Sequence, residues 1–524
     1  MKKIISIITL SIFTFFLINI ITPEATFARP GGGHSYKSKK SSSSSYSHDN
    51  RSNSGNSDIK RNKNNKNYGD YADFDNDGDS WLGDLFMKGL CILLLLVPAM
   101  LVVGLVYRLV LRIRKGSISS EPTTKNIARR NKNTEKAVAK IKETDPNFSK
   151  TLFLDFVVSV FSKYYALQST KKINNLQPFI NEKDFASLKR SDYKFSEIVV
   201  GAVNILEAKS KSKHQTILVE IDANYTKKFE TSSGEKITMR QISNQKWLFK
   251  RKIGIISPEP EKMRELSCPS CGANAKFTDA GKCESCGTLV VSGEMQWFVA
   301  TKTMSSDSFS TSGLAHYEHE AGTDLPTIVH PMLSDKSIQF TENHKLDWNT
   351  WHKNFENKVV KDYFLNFYSA WSARKLKTVR NLLTDRLYES WMFWIDSYKN
   401  EGLTNKLDDV KIEKIEFVNI DFDKFYESAT VRVFASCKDY VIDKKGKVAG
   451  GSNKKARKFS EYWTFIRKNG VEKDSFDIST CPNCGAPADK MGQTGICKYC
   501  NSKISNGDFS WVLASITQDE VYKG

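Results

Sequence analysis

The sequence lacks the signatures of the common nucleotide- and acyl-handling enzymes. It has no P-loop, no G-x-S-x-G elbow and no dinucleotide fingerprint. No pairing of Asp with His stands out at a catalytic spacing either, so the expectation is a protein that is not an enzyme. Acidic residues are in deficit, with 59 Asp and Glu against 78 Lys and Arg, a net charge of +19 and a pI near 9.2. The excess favours an anionic partner, whether lipid surface, nucleic acid or acidic protein, without choosing among them. Cysteine is scarce, at ten in 524 residues, and eight of the ten fall in C-x-x-C pairs. The other two, Cys91 and Cys437, read as ordinary buried residues.

Long apolar runs occur twice, both early. Lys2 and Lys3 precede an apolar stretch over residues 4–21, followed by Pro23 and Thr26-Phe27-Ala28. This reads as a signal peptide over 1–28, with an uncleaved anchor as the alternative. Residues 29–84 form a tail whose low-complexity part, rich in Gly, Ser, Asn and Lys, cannot bury enough apolar surface to fold. The second run, 85–111, is densest over 90–107, where it is apolar on all sides and long enough to span a bilayer. Asp70, Asp73, Asp75, Asp77, Asp79 and Asp84 precede it, whereas Arg108, Arg112, Arg114, Lys115, Lys125, Arg129 and Arg130 follow. The positive-inside rule then places the rest of the chain in the cytoplasm of a bacterial cell, behind a single-pass inner-membrane helix. Residues 112–143 read as a basic linker, lying on lipid headgroups or simply solvated.

From Asp145 the pattern is that of a folded body. Asp145-Pro146 reads as a helix start, with Asp145 as the cap. Phe153, Phe156, Val157, Val160, Phe161, Tyr164 and Tyr165 recur at helical spacing, and a shorter helix is expected around Ile173 to Ile180. Alternating stretches over 197–206, 216–225 and 236–255 read as strands. The same order then returns. Phe161 falls on Phe364, Tyr165 on Tyr368 and Leu176 on Val379 at one constant offset, with strands expected over 410–418, 428–441 and 458–468. Trp247-Leu-Phe-Lys-Arg-Lys matches Trp463-Thr-Phe-Ile-Arg-Lys, and Gly293 with Trp297 matches Gly507 with Trp511. This is an internal duplication. It sets a first module at 144–303, a linker at 304–345 and a second module at 346–524.

The strongest chemical signal is the cysteine pattern. Cys268, Cys271, Cys283 and Cys286 form one pair of C-x-x-C knuckles, and Cys481, Cys484, Cys497 and Cys500 form another. Each knuckle aims two thiolates at one ion, and two knuckles complete a tetrahedron. Two zinc ribbons are expected, at 266–290 and 479–504. Iron is the runner-up, and disulfides are the alternative if this region is exported. Four thiolates leave no position for water, so the zincs read as structural. Asp73, Asp75, Asp77 and Asp79 with Asp84 resemble a calcium loop lacking the usual Glu, against a plain acidic flank to the membrane run. His316, His319 and Glu320 are in the wrong order for a zinc protease and read as a surface loop. Trp371, Trp391 and Trp394 sit at helical spacing, which favours core over pocket lining.

The helix pattern, Asp145-Pro146-Asn147-Phe148 and the strand meander ending in Trp247-Leu-Phe-Lys-Arg resemble the domain of the mitochondrial inner-membrane translocase subunit 44. So do Trp371-Ser-Ala-Arg-Lys-Leu and residues 461–467 in the second copy. The resemblance implies an α+β class and a cone like nuclear transport factor 2, in which helices pack on a curved antiparallel sheet; with the duplication and the cysteine quartets the expectation is two such cones, each followed by its ribbon. With the membrane run, the basic linker and the missing catalytic constellation, the expectation is a membrane-anchored scaffold or binding protein at the cytoplasmic face, working with protein or peptide partners and membrane lipid; a role in protein translocation or membrane-protein assembly comes by analogy with the resemblance. The chain departs from that family in its duplication, ribbons and membrane run. RNA or ribosome binding through ribbons and basic charge, and a small-molecule enzyme using the cone, are the alternatives; no small-molecule substrate is identified.

Overall fold

The computed structural model describes residues 124–524 apart from 169, 171, 232, 261–262, 264–265, 274–275, 279, 310–320, 476, 488–491 and 493. The expected signal segment, tail, membrane run, acidic loop and the His316, His319 and Glu320 cluster lie outside the described residues. No helix among the described residues is long and apolar enough to cross a membrane.

The chain is α+β, with two antiparallel sheets. Helix α1 (Thr124–Thr144) buries Ile127, Asn131, Thr134, Val138 and Ile141, one stripe at helical spacing, and lies against the first sheet. Arg129, Lys132, Lys136 and Lys140 occupy its exposed face. The linker expected over 112–143 is therefore part of the folded body from Thr124 onward; its basic residues are the solvent side of an amphipathic helix. Helix α2 (Lys150–Ala166) starts at Ser149, whose hydroxyl accepts from Leu152 N–H at 3.2 Å. Asp145, expected as the cap, is engaged elsewhere. A 3-10 turn (Ile173–Phe179) leads to α3 (Glu182–Lys189), capped by Asn181.

Strands β1 (Lys194–Ser210), β2 (His214–Glu230), β3 (Lys236–Lys252) and β4 (Phe298–Phe309) form the first sheet in chain order. Along β3, Gln241, Ser243, Gln245, Trp247, Phe249 and Arg251 are all buried, the period of two that a covered sheet face requires. The rings of α2 cross this face: Phe153 meets Phe249 at 5.6 Å and Phe161 meets Trp247 at 5.2 Å.

The order repeats in the second half. Helix α4 (Leu333–His344) buries Phe340 in the second core, so the linker expected over 304–345 shrinks at both ends, since β4 runs to Phe309. Helix α5 (Trp348–Phe355) continues through a π turn (Glu356–Val360) into α6 (Lys361–Ser372). A second 3-10 turn (Leu376–Leu382) precedes α7 (Asp385–Asn400), capped by Thr384. Strands β5 (Thr404–Phe422), β6 (Tyr426–Ile442), β8 (Arg457–Lys468) and β9 (Val512–Gln518) form the second sheet in that order, with short β7 (Val448–Gly451) paired to β6. Trp463 is fully buried, between Phe364 at 5.0 Å and Phe367 at 5.6 Å. Its truncation to alanine is expected to cost about 3–5 kcal/mol, read from the denaturant midpoint.

Both sheets carry a last strand, β4 or β9, that the sequence pattern did not suggest. Each ribbon is thus not appended after its module, as expected, but inserted between the third strand and this one. A shared tie secures the returning strand. Asn181 N–H donates to Val299 O at 3.0 Å and Thr384 N–H to Leu513 O at 3.0 Å, each beside a parallel bridge, Ile180 with Val299 and Leu383 with Leu513.

The halves form one compact unit. Phe425, in the turn between β5 and β6, and Tyr426, the first residue of β6, join the core of the first half. Arg386 pairs with Asp155 at 3.1 Å. Asn204 donates to Val521 O at 3.0 Å, and Lys523 pairs with Glu220 on the outer face of the first sheet.

Candidate metal centres

In each ribbon, four sulfurs converge. Within residues 268–286, Cys268 Sγ lies 4.0 Å from Cys286 Sγ, and Cys271 Sγ 3.9 Å from Cys283 Sγ. In the second ribbon, Cys481 to Cys500 and Cys484 to Cys497 are both 3.8 Å. All four sulfurs of each set lie within 4.8 Å of one another. A tetrahedron with metal–sulfur bonds of about 2.3 Å has edges of about 3.8 Å, whereas a disulfide needs about 2.05 Å. The tetrads fit a tetrahedral ion. The sequence-predicted ligands are brought together without exception, and both sets could hold a metal ion.

Backbone builds each knuckle. Gly272 N–H donates to Cys268 O at 2.8 Å, Gly287 N–H to Cys283 O at 2.8 Å, and Gly485 N–H to Cys481 O at 2.9 Å. These glycines have φ of 76°, 71° and 72°. The fourth knuckle has Asn501 there, at φ 57°, the non-glycine residue best suited to that region. The first and third cysteines of each set are buried, while the second and fourth lie nearer solvent. Burial pushes the Cys268 thiol up to about 12. Thr288, its hydroxyl 3.3 Å from Cys286 Sγ, holds that thiol down to about 6, and Ser502 holds Cys500 to about 5.

The ribbons are rooted on a buried arginine that in the sequence is only one position of the shared motif. Arg251 pairs with Asp145 at 2.7 Å, takes Gln215 Oε1 at 2.8 Å and stacks 4.3 Å over Trp297, where the first ribbon re-enters the sheet. Arg467 pairs with Glu427 at 2.8 Å and Asp474 at 3.0 Å and stacks 4.6 Å over Trp511. Gly507, at φ 85°, lets its backbone run against β8: Lys468 N–H donates to Gly507 O at 2.9 Å, and an added Cβ would lie 3.1 Å from Arg467 Cα. Gly293 O accepts from Lys252 N–H at 2.8 Å in the same way. Trp371, Trp391 and Trp394 are core residues of the second half, and Cys437 is buried.

One carboxyl away from the ribbons is strongly perturbed. Burial raises Asp222 to about 7, although Asn244 donates to it at 2.6 Å. Its folded value exceeds the unfolded value of about 3.9. Stability is therefore unaffected below the lower value, falls as pH rises between the two, and stays reduced above about 7. Asp222→Asn is expected to leave stability near the parent's at pH 3.5 and raise it at pH 8. Urea titrations at both pH values check this, and equal stability of parent and variant at pH 8 would contradict it.

Residues 341–480 match the family model described as Tim44-like domain. No curated protein matches the chain. Among solved structures, the chain is similar to an "Ntf2 like protein involved in plasmid conjugation", at 9% identity and a TM-score of 0.17, over 70% of this chain and 92% of that one.

Proposed function

We propose that the chain is a membrane-anchored, non-enzymatic binding scaffold, held by the apolar run over 85–111 with its two modules in the cytoplasm, and that each tetrad holds one structural zinc. The single observation that carries this reading is the closure of both tetrads. Four thiolates fill the coordination sphere, leaving no position at which water or substrate could be activated. The interior arginines support it, because their carboxylate and tryptophan partners engage them in fixing the ribbon roots. The Tim44-like match over 341–480 supports work at a membrane with protein partners, and the repeated element order extends that likeness to the first half. On this reading both modules are cones of the nuclear transport factor 2 kind, and the protein serves protein translocation or membrane-protein assembly.

Crosslinking in intact membranes, followed by identification of neighbours, tests the role. Recovery of translocation or assembly components is the expected result. Small-molecule turnover by the purified chain, abolished by one interior substitution, would overturn it.

A further inference from the structure

The two halves treat one equivalent position in opposite ways. In the second half α7 continues for 16 residues and seals the end of its module. Trp391 meets Phe367 at 4.6 Å and Trp371 at 4.9 Å, edge to face, and Tyr398 meets Trp371 at 6.0 Å. Trp391, Trp394, Ile395 and Tyr398 are all buried. In the first half the matching helix, α3, stops after 8 residues. At the offset that aligns the 3-10 turns and helix caps, Gln168 stands for Trp371, Leu188 for Trp391 and Ser191 for Trp394.

The volume that the later part of α7 fills in one half is therefore an open groove in the other. It measures about 1070 Å³, and Tyr164, Leu188, Tyr193 and Phe229 line it together with polar side chains that include Gln168 and Ser191. Tyr193 is 44% exposed, an aromatic ring on solvent where the second half is sealed. The lining carries Arg190, Lys194, Lys228 and Lys236 against Asp192 and Glu230, so its field is positive.

We propose that this groove takes an acidic, aromatic-rich amphipathic helix of a partner protein, seated as the later part of α7 is seated in the second half. The occupant's class follows from the duplicated template: a helix laying aromatic side chains against Tyr164, Leu188, Tyr193 and Phe229, recognised as helix-in-groove partners are. Its charge follows from the basic rim of the groove. The proposal deepens the scaffold reading and rests on it for the compartment that the groove faces. Its test is made on purified protein, so failure here leaves the topology and membrane role to stand or fall on the crosslinking.

The probe is a fluorescein-labelled peptide with the sequence of residues 385–400, titrated with the full-length chain in neutral detergent and followed by anisotropy. Saturable binding is expected. Tyr193→Ala and Lys228→Glu should each weaken it roughly tenfold or more, the scale of an interface anchor. Ser191→Trp, which places a plug where Trp394 sits in the second half, should abolish it. A peptide with both tryptophans replaced by alanine should not bind. Unchanged metal content and melting transition verify that each variant is folded. Absence of binding, or binding indifferent to all three substitutions, would overturn the proposal. So would displacement of the peptide by phosphatidylglycerol vesicles that bind the parent but not Tyr193→Ala, which would assign the groove to a lipid headgroup.

Discussion

With one structural zinc in each tetrad, as proposed, Cys484→Ser is expected to lower the metal content from two ions to one and to unfold the second half at a temperature where the first half persists. The ribbon lies between β8 and β9, so its collapse releases a strand of the sheet. Leu513 on β9 holds the tie to Thr384, and Trp511 just before it lies under Arg467. Structural zinc in small domains contributes apparent binding energies on the order of 10 kcal/mol, as large as the stability of a whole domain. Calorimetry with and without a chelator checks this. The parent should lose both transitions to the chelator, whereas the variant should already lack the second. A variant that melts like the parent would show that ribbon and sheet are not coupled.

Glu427→Ala is expected to destabilise the second half by about 3–5 kcal/mol, the cost of leaving a buried guanidinium without its main carboxylate. Arg467 and Glu427 have side chains only 2% exposed, and solvent cannot replace the lost partner. Asp474, at 3.0 Å, retains part of the charge balance. Pairing Glu427→Leu with Arg467→Met should recover most of the loss, because the desolvated charge leaves together with its partner. The double-mutant cycle on denaturant midpoints separates this from simple loss of packing. In the first half Gln215 occupies the place of Glu427, and the anion comes from Asp145 instead. Asp145→Ala should therefore act on the first half as Glu427→Ala acts on the second.

The cysteine tetrads were legible because ligand spacing is local: a C-x-x-C turn converges on one point whatever surrounds it. The middle strands were legible for a similar reason, since the alternation through Trp247, Phe249 and Arg251 is the burial pattern itself. The returning strands were not. Residues 298–309 are mostly polar after Val299, as befits an edge, and their identity depends on pairing across the whole inserted ribbon. Helix α1 was hidden because its lysines and arginines outnumber the apolar stripe beneath them. Asp145 resembled a helix cap in sequence, and only long-range packing brings it to Arg251 and Ser257. The open groove was invisible for the opposite reason. A constant offset stresses what two copies share, and the difference lies in where α3 stops.

Metal analysis of the full-length chain, purified without added metal and combined with thiol counting, decides whether the two tetrads are zinc sites. Zinc at two ions per chain is expected, with the eight C-x-x-C cysteines shielded from alkylation until a chelator is added. Disulfide-linked tetrads, or iron in place of zinc, would contradict it.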